Sequence, residues 1–202
     1  MHRSTALARA NQAYDRMAIT LHWSSAVLIL TNLAIGLRME QFPGFAHTSA
    51  PWSEALLWHG SIGATILALT LARIAWRLTH RYPPLPADLP PAQAMAAHGV
   101  HALLIAVCLA LPLSGYLHRA AGGHPVTFFE WWNWPNFIGP NEALRVVTDK
   151  VHVALAFILA SLVLVHLAGV LKHLLVDRDG LPRRMAPGGF AHRPVDRQSR
   201  GR

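Results

Sequence analysis

The chain has 202 residues, 52% of them hydrophobic and 14% charged, with a formal net charge of +8. That balance excludes an ordinary soluble domain, and the basic residues flank apolar runs, where membrane topology and anionic lipid account for them without nucleic acid. The single cysteine, Cys108, excludes an internal disulfide, a cysteine-ligated iron–sulfur cluster and the C-x-x-C-H attachment of a c-type haem; in mid-helix it is expected to be a small core residue.

Four apolar runs follow in chain order: Met17 to Leu37, Ala55 to Trp76, His98 to Leu117 and Val151 to Leu171. Each is about twenty residues, enough for a helix to cross a hydrocarbon core of roughly 30 Å. The first is too long for the apolar part of a signal peptide and has no small-residue cleavage site behind it, so it is expected to stay in the mature protein. The helices are expected at 15–38, 54–78, 97–118 and 148–174, an all-α integral membrane four-helix bundle occupying residues 1–180.

The connections read as loops. Tyr82 to Pro91, YPPLPADLPP, holds five prolines and is expected to be a stiff extended link. Arg119 to Asp149 carries Gly122, Gly123, Pro125, Pro135 and Pro140 with Trp131, Trp132 and Trp134, a composition suited to a loop at the membrane interface. Residues 181–202, rich in Arg, Gly and Pro, are expected to form a basic, disordered tail.

Of the eighteen Lys and Arg, only Arg38, Arg119, Arg145 and Lys150 fall on one side of this arrangement. The rest flank the first helix, the proline-rich link and the end of the fourth helix. The positive-inside rule then puts both termini in the cytoplasm, N-in and C-in.

Ionisable groups inside a bilayer are costly and mark function. The fourth run carries His152 near its outer end and His166 toward its inner end. Fourteen residues apart, they are separated by about 21 Å and lie within about 40° of one helix face. His22 on the first helix lies at the depth of His166, and His59 on the second at the depth of His152. Two imidazole pairs stacked across the membrane, with no carboxylate or thiolate beside them, suit two bis-histidine b-type haems bound non-covalently. A zinc site would need a third or fourth ligand at the same depth. Gly60, Gly63 and Gly169 could let backbone approach a porphyrin face, or serve helix packing alone. His98 and His101 could replace His22 opposite His166, but at a helix end they suit interfacial polar contacts better. Arg16, Arg73, Arg77 and Lys172 lie at the level of the inner haem propionates and are candidate contacts for them, although topology also explains them.

The stretches YDRMAITLHW, HGSIGATILALTLARIAWRL, AAHGVHALLIAVCLALPLSGYL and VHVALAFILASLVLVHLAGVLKHLLVDRDGLPRRMAPG resemble the bacterial cytochrome b561 family of diheme inner-membrane proteins, and together they cover most of residues 14 to 188. The resemblance implies axial ligands at His22, His59, His152 and His166, in agreement with the depth argument. It also implies electron transfer in the bacterial inner membrane linked to quinone, with ubiquinone as a further bound partner, and for some members oxidation of superoxide at the periplasmic side. His173, with His98 near it, falls where a quinone pocket is expected. The chain has Val153 after His152, where Glu occurs in a relative, so contacts around the outer ligand are expected to differ from those of that relative. In the outer connections acids slightly outnumber bases, which leaves only Arg145 and Lys150 as a local positive patch near His152.

Saturated axial positions leave iron no site for oxygen or substrate, so the expected chemistry is one-electron transfer at a haem edge. Two other functions fit the same residues. One is a haem-bearing membrane anchor for a soluble dehydrogenase or hydrogenase. The other is a transporter with relaying histidines, disfavoured by the lack of Asp or Glu inside any run.

Overall fold

The computed structural model describes residues 13–41, 50–86 and 89–187. Within them, four long helices dominate: α1 (Arg16–Gln41), α2 (Ala50–Thr79), α3 (Pro91–Ala121) and α4 (Glu142–Lys172). All four are long and apolar enough to cross a membrane. In hydrocarbon the backbone must satisfy its own hydrogen bonds, which a continuous helix does. The hydroxyls along these helices do likewise: Ser25 donates to the Leu21 carbonyl at 2.6 Å, Thr65 to Ser61 at 2.9 Å and Thr70 to Ile66 at 2.7 Å.

α1 packs on α2, α2 on α3 and α3 on α4. The buried core is small, formed by Val107, Cys108 and Leu159 with Ile29, Leu104, Leu111, Leu155, Leu162 and Val163 around them. Cys108 is thus the core residue expected of it.

The helix limits differ from the expected ones for local reasons. α3 starts at Pro91 rather than 97, because a proline in the first turn forfeits no intrahelical hydrogen bond and its fixed φ suits a helix. α4 starts at Glu142 rather than 148. There the Asn141 side chain accepts from the Leu144 N–H at 3.0 Å, and Glu142 sits at the positive end of the helix dipole. The connection between α3 and α4 is therefore shorter than expected, and it contains a hairpin of β1 (Val126–Phe128) and β2 (Trp132–Trp134), antiparallel with Thr127 opposite Asn133.

Phe129 and Glu130 turn that hairpin with φ of 45° and 62°, a left-handed conformation costly for side-chain-bearing residues. Ser61 on α2, fully buried, holds the turn by accepting from the Phe129 N–H at 2.9 Å, and Trp58 packs edge-on against the Phe129 ring at 5.5 Å. Ser61→Ala leaves the Phe129 N–H without its partner, a loss of about 1–3 kcal/mol. Hydrogen exchange should report it as faster exchange across 126–134 with α2 unchanged; equal protection in both proteins would remove Ser61 from this role.

The segment expected to be disordered from 181 onward is ordered in its first part. A π-helical turn (His173–Asp177) and a 3-10 turn (Leu181–Met185) fold back under the bundle. Tyr14 N–H donates to the Arg184 carbonyl at 3.0 Å, the Arg184 guanidinium donates to the Pro84 carbonyl at 3.0 Å, and the Trp23 indole donates to the Met185 carbonyl at 2.8 Å. Buried Arg184 thereby joins the start of α1, the proline-rich link and the C-terminal segment at one end of the bundle. The expectation for 188–202 lies outside the described residues, as do Arg3, Arg9 and the Ala87–Asp88 part of the link.

At that end Asp15 caps α1, accepting from Ala18 N–H at 2.8 Å and from the Trp76 indole at 3.1 Å. Burial pushes the Asp15 carboxyl up, but these hydrogen bonds, together with nearby His80 and the Met17 N–H, outweigh it and hold the carboxyl below its ordinary range. With the folded value below the unfolded one, the stabilisation is complete above about pH 4 and fades as pH falls through the folded value. Asp15→Asn is expected to lower the unfolding temperature in detergent at pH 7, with the difference closing in acid. A difference independent of pH would show that the charge is not what Asp15 contributes.

Candidate functional site

The structure brings the four sequence-predicted histidines together in the expected pairs. His59 on α2 faces His152 on α4 with ring centres 5.9 Å apart, and His22 on α1 faces His166 on α4 at 6.3 Å. All four are half-buried. Each pair joins helices outside the closely packed sequence α1 on α2 on α3 on α4, so the imidazoles meet across gaps rather than tight seams.

Two imidazoles ligating one metal from opposite sides hold their nitrogens about 4 Å apart and their ring centres on the order of 6 Å apart. Both pairs satisfy that spacing. There is also room beside them: a Cβ added at Gly60, next to His59, or at Gly169, three residues after His166, would meet no atom within 4 Å. These two glycines therefore do not serve close helix packing, whereas Gly63 lies against Asn32. Buried polar atoms without a well-formed hydrogen bond, His59 Nδ1 and Asn32 Oδ1, occur there too, the Asn32 backbone lying beside His59. The residues present fit a flat metal cofactor held by both axial positions.

The inner pair has a third imidazole. His101 on α3 lies 5.3 Å from His166, nearer than His22, but it is exposed while His22 is half-buried. Arg73 is the candidate propionate contact that the structure places at the inner pair, with a guanidinium nitrogen 3.5 Å from His22 Nδ1. Arg77 instead lies over the Tyr82 ring at 5.5 Å, Lys172 is paired with Asp177 at 2.5 Å, and Arg16 is exposed.

Of the two histidines expected at a quinone pocket, His173 is half-buried and its Nδ1 lies 2.6 Å from the Asp179 carboxylate and 3.3 Å from that of Asp177. His98 turns onto its own helix and donates to the Ala94 carbonyl at 2.7 Å. At the opposite end, Arg145 is held by Glu142 through two contacts of 2.6 and 2.7 Å. The local positive patch expected there from Arg145 and Lys150 is thus partly neutralised.

Sequence reasoning missed the residues that contact His152 and His59. Ser114 and the Leu111 carbonyl both meet His152 Nδ1, and Gly36 and Gly115 pack against the rings of His59 and His152. Attention to glycines next to the ligands in sequence overlooked those facing them from neighbouring helices. The Ser114-Gly115 step within an otherwise apolar run was the available signal.

Comparison with known proteins agrees with this arrangement. The family model for prokaryotic cytochrome b561 matches residues 13–188. The chain is 29% identical over 178 residues to "Cytochrome b561 homolog 2" of Escherichia coli (strain K12), covering 86% of this chain and 91% of that one. It is 31% identical over 173 residues to "Cytochrome b562" of Cereibacter sphaeroides, covering 85% and 94%. A protein of Yersinia pestis named "Probable superoxide oxidase CybB" is 27% identical over 178 residues, covering 88% and 97%. The family implies b-type haem and its iron. The chain belongs to the prokaryotic cytochrome b561 family, and is a multi-pass membrane protein of electron transfer.

Proposed function

We propose that the protein is a transmembrane electron carrier with two haem b sites, an outer one held by His59 and His152 and an inner one held by His22 and His166. The observation that carries this reading is the pairing of two half-buried histidines on α4, fourteen residues apart, with histidines of α2 and α1 at 5.9 and 6.3 Å. Bis-histidine haem supplies reversible one-electron chemistry at its edge, with no open iron position for a substrate.

The chain's own residues orient the sites. α4 sets the separation of the two levels, about 21 Å along its axis. Arg73 is placed to meet a carboxylate at the inner level. The end of the bundle that carries Arg73, Arg77 and the folded 181–187 segment is assigned to the cytoplasm by the excess of base there. At that end His173, whose Nδ1 is held by Asp179 and Asp177, keeps Nε2 as an acceptor for a quinol hydroxyl.

Quinone is thus the proposed acceptor or donor in the bilayer, and superoxide a candidate outer reductant in view of the Yersinia pestis relative. Purified holoprotein in liposomes tests both. Superoxide generated outside should reduce the cytochrome, and added ubiquinone-1 should reoxidise it, with His173→Ala slowing only the second step. Failure of superoxide to reduce the cytochrome removes that substrate, and failure of ubiquinone-1 to oxidise dithionite-reduced protein removes the quinone link.

A further inference from the structure

α3 supplies none of the four paired histidines, yet it makes the closest polar contacts to one of them. His152 Nδ1 lies 3.1 Å from the Leu111 carbonyl and 3.0 Å from the Ser114 hydroxyl. A carbonyl can only accept, so Nδ1 carries the proton and donates it. The Ser114 hydroxyl gives its own hydrogen to the same carbonyl at 2.7 Å, which turns an oxygen lone pair toward Nδ1. Both contacts therefore select one tautomer of His152, with the ring lone pair on Nε2.

The approach depends on Gly115. A Cβ there would stand 3.0 Å from His152 Cε1 and 3.2 Å from Nδ1, tighter than most Cβ contacts, so the ring would have to shift by a few tenths of an ångström. Gly115 lies four residues after Leu111, so the glycine opens the helix surface beside the carbonyl that receives the proton. Ser114 is buried, which makes its hydrogen bonds costly to lose.

His59 has only half of this arrangement. Gly36 on α1 opens the same space, its Cβ position lying 3.1 Å from His59 Cε1, but no hydroxyl meets His59 Nδ1, and the Asn32 backbone beside it falls short of a well-formed hydrogen bond. The two outer imidazoles are consequently unequal.

We propose that Ser114 and Gly115 are positioning residues for His152, fixing its tautomer and ring orientation and making it the stronger donor of the outer pair. The inference rests on the reading of His152 as an axial ligand. An imidazole whose second N–H is given to an acceptor is the more basic ligand and favours the oxidised metal. Loss of the hydroxyl should therefore raise the outer haem's midpoint potential.

The test uses purified holoprotein carrying Ser114→Ala, Ser114→Thr or Gly115→Ala, with the outer component identified as the one missing from His59→Ala. Ser114→Ala is expected to keep the parent's haem content, shift the outer midpoint potential upward and alter the outer low-spin EPR signal, with the inner component unmoved. Ser114→Thr, which restores a hydroxyl, should return both readouts toward the parent. Gly115→Ala, by displacing the ring, should alter the outer EPR signal or lower outer haem occupancy. An outer potential and EPR signal unchanged in Ser114→Ala overturn the proposal. Parent haem content in His152→Ala overturns instead the ligand reading on which it rests.

Discussion

Replacing either member of the outer pair, in His59→Ala or His152→Ala, is expected to remove about half of the haem from the purified protein while the remainder keeps its low-spin spectrum. His166→Ala should do the same at the inner level. The reason is geometric: His59 stands opposite His152 and His22 opposite His166 at about the spacing of two axial ligands, and the pairs meet on α4 fourteen residues apart. His166 is the cleaner inner test, because both His22 and His101 face it. If His22→Ala retains an inner low-spin haem and His22→Ala with His101→Ala loses it, the exposed ring of His101 has taken the vacant position. Pyridine haemochrome content and reduced spectra measure all of these. Equal loss of both haems in every folded variant would defeat the pairing.

The second large effect is expected at Arg184, far in sequence from the start of α1 and the proline-rich link that it joins. Its guanidinium donates to Pro84 and lies 5.9 Å from the centre of the Tyr14 ring, and its carbonyl accepts from Tyr14. A hydrogen bond from a charged group contributes about 1.5–3 kcal/mol. Arg184→Ala should lower the detergent unfolding temperature and expose the 181–187 segment to protease. Arg183→Ala removes the same charge from an exposed neighbour and is expected to leave both nearly unchanged. Equal effects of the two variants would assign the result to net charge rather than to the contacts of Arg184.

The bundle and the histidine pairs were legible in sequence because they follow from length and period. Twenty apolar residues dictate a crossing, and matching depths on different helices dictate which imidazoles can meet. The helix starts at Pro91 and Glu142 were missed because apolar runs mark hydrocarbon, whereas these helices begin outside it, where a proline in the first turn and the Asn141 cap decide the limit. The folded 181–187 segment was missed for a different reason. Its order comes from contacts with Tyr14, Trp23 and Pro84, which no local composition announces. His101 shows the limit of reasoning by depth alone: its place at a helix end favoured interfacial contacts, yet its ring lies 5.3 Å from that of His166. Ser114 and Gly115 show the limit of reasoning from ligands outward, since their role appears only once α3 is seen against α4.

The most direct test of two stacked haem sites is a dithionite-reduced minus oxidised spectrum of the purified protein with pyridine haemochrome counting. The pairing of His59 with His152 and His22 with His166 predicts two b-type haems per chain, both low-spin. A single haem, or none, in folded protein produced with ample haem would contradict it.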